Sequence, residues 1–141
     1  FVSSVALDVY KGRVSTMAIS PGPGTRSLRM QVTDEIDGVR TLVGDENVWF
    51  DAAAKTIQSR YFGADGIIVN GTLSPVDRDG RSVFRDDWSG SDEFGTPRSG
   101  VSWMEIDGDR LVISFTEIII DGKPLDADAC ADWTMEYDRR D

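Results

Sequence analysis

The chain reads as an all-β protein, a closed antiparallel up-and-down β-barrel of about eight to ten strands. Three observations lead there. Asp-Gly pairs recur at a near-constant step of about 14 residues, at Asp37-Gly38, Asp65-Gly66, Asp79-Gly80, Asp107-Gly108 and Asp121-Gly122. The two gaps in that series are turn-like as well: Asp51-Ala52-Ala53-Ala54-Lys55, and the Ser89–Pro97 stretch with Gly90 and Gly95. Asp-Gly supplies the positive φ angles that tight hairpins demand. Between turns lie runs of about a dozen residues rich in Val, Ile, Thr, Phe, Tyr and Trp, the composition of strands. No segment carries a long helical period. A meander of eight or more long strands tends to close, because closure removes exposed edges.

The elements follow in order. The first strand spans 13–20 and stops at the loop Pro21-Gly22-Pro23-Gly24. Strands at 26–36 and 39–50 flank Asp37-Gly38, and the second of them runs into the Asp51–Lys55 turn. Strands at 55–63 and 67–76 flank Asp65-Gly66. Gly44 and Gly71 interrupt strands, where bulges or sharp bends are expected. A strand at 82–88 follows Asp79-Gly80 and enters the Ser89–Pro97 loop. Strands at 99–106 and 109–120 flank Asp107-Gly108. The loop Lys123–Ala129 then leads to a last strand at 130–138. Val2 to Tyr10 reads as a further strand or a short helix. The three long connections are candidates for a barrel mouth or lid.

Composition bounds the function. At 141 residues the chain is one domain, 1–141, large enough to bury a core. No apolar run approaches the roughly 20 residues of a membrane span. A net charge of −10 repels phosphate backbones and argues against a nucleic-acid partner. A homodimer is kept open. Cys130 is the only cysteine, so no internal disulfide forms, and a lone thiol suits a reducing, cytoplasmic compartment. The chain starts at Phe1 without Met, so processing and secretion stay open. There is no histidine. That excludes a Ser-His-Asp triad, a His-ligated haem and nearly every mixed-ligand zinc site. Neither a cofactor nor a metal is expected, and acid–base chemistry falls to carboxylates, Tyr, Lys or Cys.

The run Val48-Trp49-Phe50-Asp51, Lys55-Thr56-Ile57, Phe62, Asp65-Gly66 and Gly71 resembles the middle of small bacterial lipocalin-like domains. These are calycin barrels, a group that includes fatty-acid-binding proteins and nitrobindins. Met104-Glu105-Ile106-Asp107-Gly108-Asp109, Asp121-Gly122 and Glu136-Tyr137-Asp138-Arg139 continue the likeness, which covers roughly residues 35–140. It implies a closed barrel of eight to ten strands around a ligand cavity. The Gly-X-Trp signature near the start of true lipocalins is absent. No nitrobindin haem ligand carries over, since there is no histidine.

Alternate residues of a barrel strand face inward, so faces are read by parity. Leu28, Met30 and Val32 share one. Leu111, Ile113, Phe115 and Ile119 share another with Glu117. Phe84 and Trp88 flank Asp86, and Val101 and Trp103 precede Glu105. Ala131, Trp133, Met135 and Tyr137 share the last. Three carboxylates, Asp86, Glu105 and Glu117, thus fall on apolar faces, where desolvation would raise their pKa values towards neutrality. They are the catalytic candidates, with Tyr61 or Tyr137 as proton donor or orienting group and Arg60 as anion partner. The alternative for each is a structural ion pair with Arg60, Arg85, Arg98 or Arg139. Trp49, Phe84, Trp88, Trp103, Phe115, Trp133 and Met135 are expected to line a hydrophobic ligand site. Two classes of function follow. One is a cofactor-independent cyclase, isomerase or lyase acting on a hydrophobic metabolite. The other is a carrier that binds such a molecule unchanged.

Overall fold

The computed structural model describes residues 2–3, 13–24 and 26–139. Of the element expected over Val2 to Tyr10, all but two residues lie outside that set. The described residues form β1 (Val2–Ser3), β2 (Val14–Pro21), β3 (Ser27–Ile36), β4 (Val39–Asp51), β5 (Thr56–Gly63), β6 (Ile68–Arg78), β7 (Arg81–Ser91), β8 (Pro97–Asp107), β9 (Arg110–Ile120), β10 (Lys123–Pro124), helix α1 (Ala127–Ala131) and β11 (Met135–Asp138). The protein is an all-β, antiparallel, up-and-down sheet. Its order is β10-β9-β11-β1-β2-β3-β4-β5-β6-β7-β8, and β9 also pairs with β8. Among the described residues no helix is long and apolar enough to cross a membrane.

The turns form where Asp-Gly dictates. Both central residues have positive φ at Asp37-Gly38 (51° and 77°), Asp79-Gly80 (55° and 75°) and Asp121-Gly122 (51° and 73°). That is the hairpin geometry whose twist matches the strands. At the wider β4–β5 turn the Asp51 carboxylate accepts from the amides of Ala53 at 2.9 Å and Ala54 at 3.0 Å, and Lys55 takes φ 56°.

Three expectations need correction. The strand expected at 130–138 begins only at Met135, because α1 occupies the residues before it. Asp126 starts that helix by accepting from the Ala129 amide at 2.8 Å, the usual role of an N-cap Asp. The Ser89–Pro97 stretch is mostly strand, since β7 runs to Ser91 and β8 starts at Pro97. Asp92 ties the short loop between them, accepting from the amides of Phe94 and Thr96 and from Arg98. Gly71 sits in unbroken register between Ser59 and Trp88. The irregularity expected at Gly44 is present beside it, a bulge at Val43 between the pairs Val32↔Gly44 and Thr33↔Leu42, and a second bulge lies at Thr116 between Val101↔Glu117 and Ser102↔Phe115.

One face of the sheet carries the core. Met17, Met30, Leu111, Ile113 and Tyr137 are buried together there, with Val32, Val48, Met104, Phe115 and Met135 packed against them. These residues are register partners: Met17 opposes Val32, Met135 opposes Ile113, and Tyr137 opposes Leu111. Leu111 is fully enclosed, at 0% exposure, whereas Val39 is 67% exposed. Leu111→Ala is therefore expected to cost about 2–5 kcal/mol in urea unfolding, and Val39→Ala less than about 0.5 kcal/mol. Equal costs would contradict this placement of the core.

Candidate functional site

Polar residues interrupt the core face at matched positions on neighbouring strands. Glu46 of β4 opposes Tyr61 of β5 and Met30 of β3. Ser59 of β5 opposes Val48 and Gly71. Asp86 of β7 opposes Leu73 and Ser102. Ser59 and Ser102 are buried at 3% and 7% exposure. Glycine makes the room. A Cβ at Gly71 would collide with Asp86 Oδ1 and Ser59 Oγ, and one at Gly44 would stand 2.6 Å from Tyr61 Oη. A Cβ at Gly100 would come within 2.6 Å of Trp88 Cζ2.

The electrostatics follow from this enclosure. Desolvation pushes the Glu46 carboxyl up to about 7; the negative charge of Asp86 adds to the shift and the Ser59 hydroxyl opposes it. Desolvation, then the charge of Asp87, pushes Asp86 up to about 6. Neither carboxylate is ion-paired among the described residues. Near neutrality Asp86 is thus mainly ionised while Glu46 retains much of its proton. The two neighbouring groups thus differ in protonation near neutral pH. Tyr61 and Tyr137 are both pushed up to about 12, first by desolvation and then by nearby carboxylates. Both phenols stay neutral at biological pH and act as hydrogen-bond donors. Tyr61 Oη donates to the Val43 carbonyl at 3.3 Å, and Tyr137 Oη to Met135 Sδ at 3.5 Å.

A second polar group lies on the same face. Ser15 donates to Asp34, which Arg13 approaches at 3.4 Å. Asp34, Ile36, Val39, Thr41 and Val43 line a cavity of about 260 Å³ beside the β3–β4 hairpin. Its volume falls just below the roughly 300–1,000 Å³ of ligand pockets.

Of the three carboxylates expected on apolar faces, only Asp86 lies on the core face. Glu105 is on the outer face, bonded to Arg81. Its strand is anchored the other way round, by buried Gly100 and Ser102. Glu117 is exposed, because the bulge at Thr116 inverts the alternation and turns Ile118 inward instead, at 1% exposure. Trp103 is also outside. Arg78 and Arg85 lie over its ring at 5.4 and 5.9 Å, and its Nε1 donates to Thr116 Oγ1 at 3.0 Å. Arg60 stacks on Phe62 at 5.3 Å, on the exposed side of β5. Trp49 is 37% exposed, opposite Ser27 and Gln58.

Phe84, Trp88, Phe115 and Met135 do share the core face. Trp88 meets Phe115 edge-to-face at 6.3 Å, and Phe115 meets Trp133 at 5.9 Å. Trp133 follows α1 rather than sitting on a strand, and is 40% exposed. The three rings therefore step from beside Asp86 to the surface. Cys130 is buried in α1 at 2% exposure.

Parity reading missed Glu46 and Asp34, although the signals were present. Asp34 continues the Met30, Val32 series, and Glu46 alternates with Val48 and Phe50. Adjacent Trp49 and Phe50 fall on opposite faces of β4, so its apolar content does not single one face out. No protein-family model, curated protein or solved structure matches the chain.

Glu46 has a folded-state pKa near 7 against 4.5 for the free group, so folding takes up a proton between those values. Its contribution to stability is full below about pH 4.5 and is lost as pH rises through 7. Glu46 should contribute a fall of roughly 3 kcal/mol between pH 4.5 and 8, as read by urea unfolding, and Asp86, raised to about 6, a further fall in the same direction. Glu46→Gln should remove the Glu46 part and leave the Asp86 part, and an unchanged pH profile in the variant would contradict the assignment.

Proposed function

We propose that this chain is a small-molecule-handling β-barrel, and that it works as a cofactor-independent enzyme of the cyclase, isomerase or lyase type. Its substrate is a largely apolar metabolite held on the core face, with Asp86 and Glu46 moving a proton. The observation that carries this reading is the pair of desolvated carboxylates without a cation partner among the described residues, set beside the ring of Trp88. A carboxylate pair destabilised in this way costs folding energy, which argues for a use beyond structure. The barrel reading is supported by the run of pairings from β8 to β9, β11, β1 and β2, which leaves β8 and β2 joined through their neighbours. The lipocalin-like assignment rests on the turn pattern and this strand order.

The apolar body of the substrate would lie along Leu73, Ile118 and Phe115, which share the face with Asp86. Trp88, Phe115 and Trp133 supply an aromatic route from the surface inward. A second reading, a carrier that binds without turnover, is favoured by one observation: Asp86 Oδ1 and Trp88 Nε1 are buried without hydrogen-bond partners among the described residues, and such atoms serve recognition as well as catalysis.

Titration with the neutral hydrophobic dye Nile red should change tryptophan emission. Trp88→Phe should remove most of the response, while Trp49→Phe should keep it, because Trp49 is on the outer face. A response carried by Trp49 would contradict the site. Native mass spectrometry of protein from its own host then identifies the bound metabolite. Turnover of that molecule by the wild type, lowered about 10²–10⁴-fold in Asp86→Asn, separates enzyme from carrier.

A further inference from the structure

We propose that the substrate is a neutral carbonyl compound with an acidic C–H beside its carbonyl group, and that Trp88 is the catalytic donor to the carbonyl oxygen. This rests on the proton-transfer reading above and names its substrate class. Asp86 Oδ1 and Trp88 Nε1 are buried polar atoms with no hydrogen-bond partner among the described residues. They belong to residues two apart on β7, so both side chains leave the same face about 6.7 Å apart along the strand. An ionised carboxylate only accepts, and an indole N–H only donates. Each unmade bond costs about 1–3 kcal/mol. A ligand that offers an acceptor to Trp88 and a proton to Asp86 satisfies both at once.

Charge discriminates among candidate ligands. A carboxylate would meet two carboxyl groups, Asp86 and Glu46. The guanidinium on the neighbouring strand, Arg98, is already bound to Asp92 at 3.0 Å. An ammonium would satisfy the carboxylates but would set a donor against the Trp88 N–H. A ketone, or an enone precursor with its double bond one position away, meets both needs. Its oxygen accepts from Trp88 Nε1 and its α C–H faces Asp86. Leu73, Ile118 and Phe115 provide apolar walls, and the Asp86 carboxyl and Trp88 ring pack directly over Gly71 and Gly100, where any larger residue would displace them.

The step balances within the site. Asp86 Oδ1 takes the α-proton, the C–H electron pair becomes a carbon–carbon double bond, and the carbonyl π pair moves onto oxygen. The enolate oxygen is held by the Trp88 N–H, a donor aimed at charge that develops in the transition state. Return of the same proton from Asp86 to a different carbon completes an isomerisation and consumes no further reactant. When Asp86 first trades that proton for a deuteron from solvent, return to the same carbon gives exchange.

The test uses the full chain in D2O with a β,γ-unsaturated six-membered cyclic ketone. Proton NMR follows loss of the α-proton signal and growth of the conjugated isomer. The carboxylic acid and the amine of matching size are compared for binding by tryptophan fluorescence. Wild type should exchange the ketone faster than buffer. Trp88→Phe should lower the rate about 10²–10³-fold and Asp86→Asn about 10²–10⁴-fold, with melting temperatures near that of the wild type. If Asp86→Asn does not fold, Trp88→Phe alone decides. Full-rate exchange in Trp88→Phe, or no exchange in the wild type, overturns the inference. Tight binding of the amine or the acid without exchange of the ketone overturns it but leaves an interior small-molecule site standing. Binding of none of the three overturns the proposed function as well.

Discussion

Side chains alternate across a β-strand with a period of two, and that rule places every group of consequence in this molecule. It turns Glu46, Ser59, Asp86 and Ser102 towards the core from four different strands. It turns Glu105, Trp103, Arg60 and Trp49 away. The alternation is reset at two bulges, Val43 and Thr116. An extra residue on one strand shifts every later side chain to the opposite face. At Thr116 this exchanges Glu117 for Ile118 as the inward residue. At Val43 it lets Gly44 and Glu46 face the core on the far side of the bulge, and leaves the Val43 carbonyl as the acceptor of Tyr61.

Enclosure then sets the chemistry. A carboxyl group shielded from water holds its proton to higher pH unless a cation compensates. Asp34 is approached by Arg13 and accepts from Ser15. Glu46 and Asp86 have serine hydroxyls and a tyrosine for neighbours instead. Burial holds Asp86 up to about 6, and burial together with the charge of Asp86 raises Glu46 to about 7. The arrangement opposes stability in order to hold these groups. Small residues make it sterically feasible: Gly71 accommodates the Asp86 and Ser59 oxygens, and Gly100 accommodates the Trp88 ring.

Much of the architecture was legible in the sequence because turn chemistry is local. Asp79-Gly80 announces a turn whatever surrounds it, and the strands between such turns lie within two or three residues of where their composition puts them. The face of each strand was less legible, since it depends on partners. Val101 and Trp103 look like a core pair, yet arginine side chains cover Trp103 from outside and the inward positions are Gly100 and Ser102. Nothing local to β9 marks Thr116 as a bulge, so Glu117 was assigned to the wrong side. The helix before β11 escaped notice because a five-residue segment shows no period. The face of Asp86 was legible because Phe84 and Trp88 flank it in a strand that runs without a bulge.

The account stands on two carboxyl groups that titrate near neutrality inside the folded protein. Carbon-13 NMR of protein labelled at the Asp and Glu carboxyls reads them directly. Spectra are taken from pH 3 to 9, with Glu46→Gln and Asp86→Asn used to assign the resonances. The account predicts one transition near 6 that disappears in Asp86→Asn, and one near 7 that disappears in Glu46→Gln. It also predicts that the Glu46 transition moves down when Asp86 loses its charge. Titration of both groups below pH 5, each unaffected by removal of the other, would contradict it.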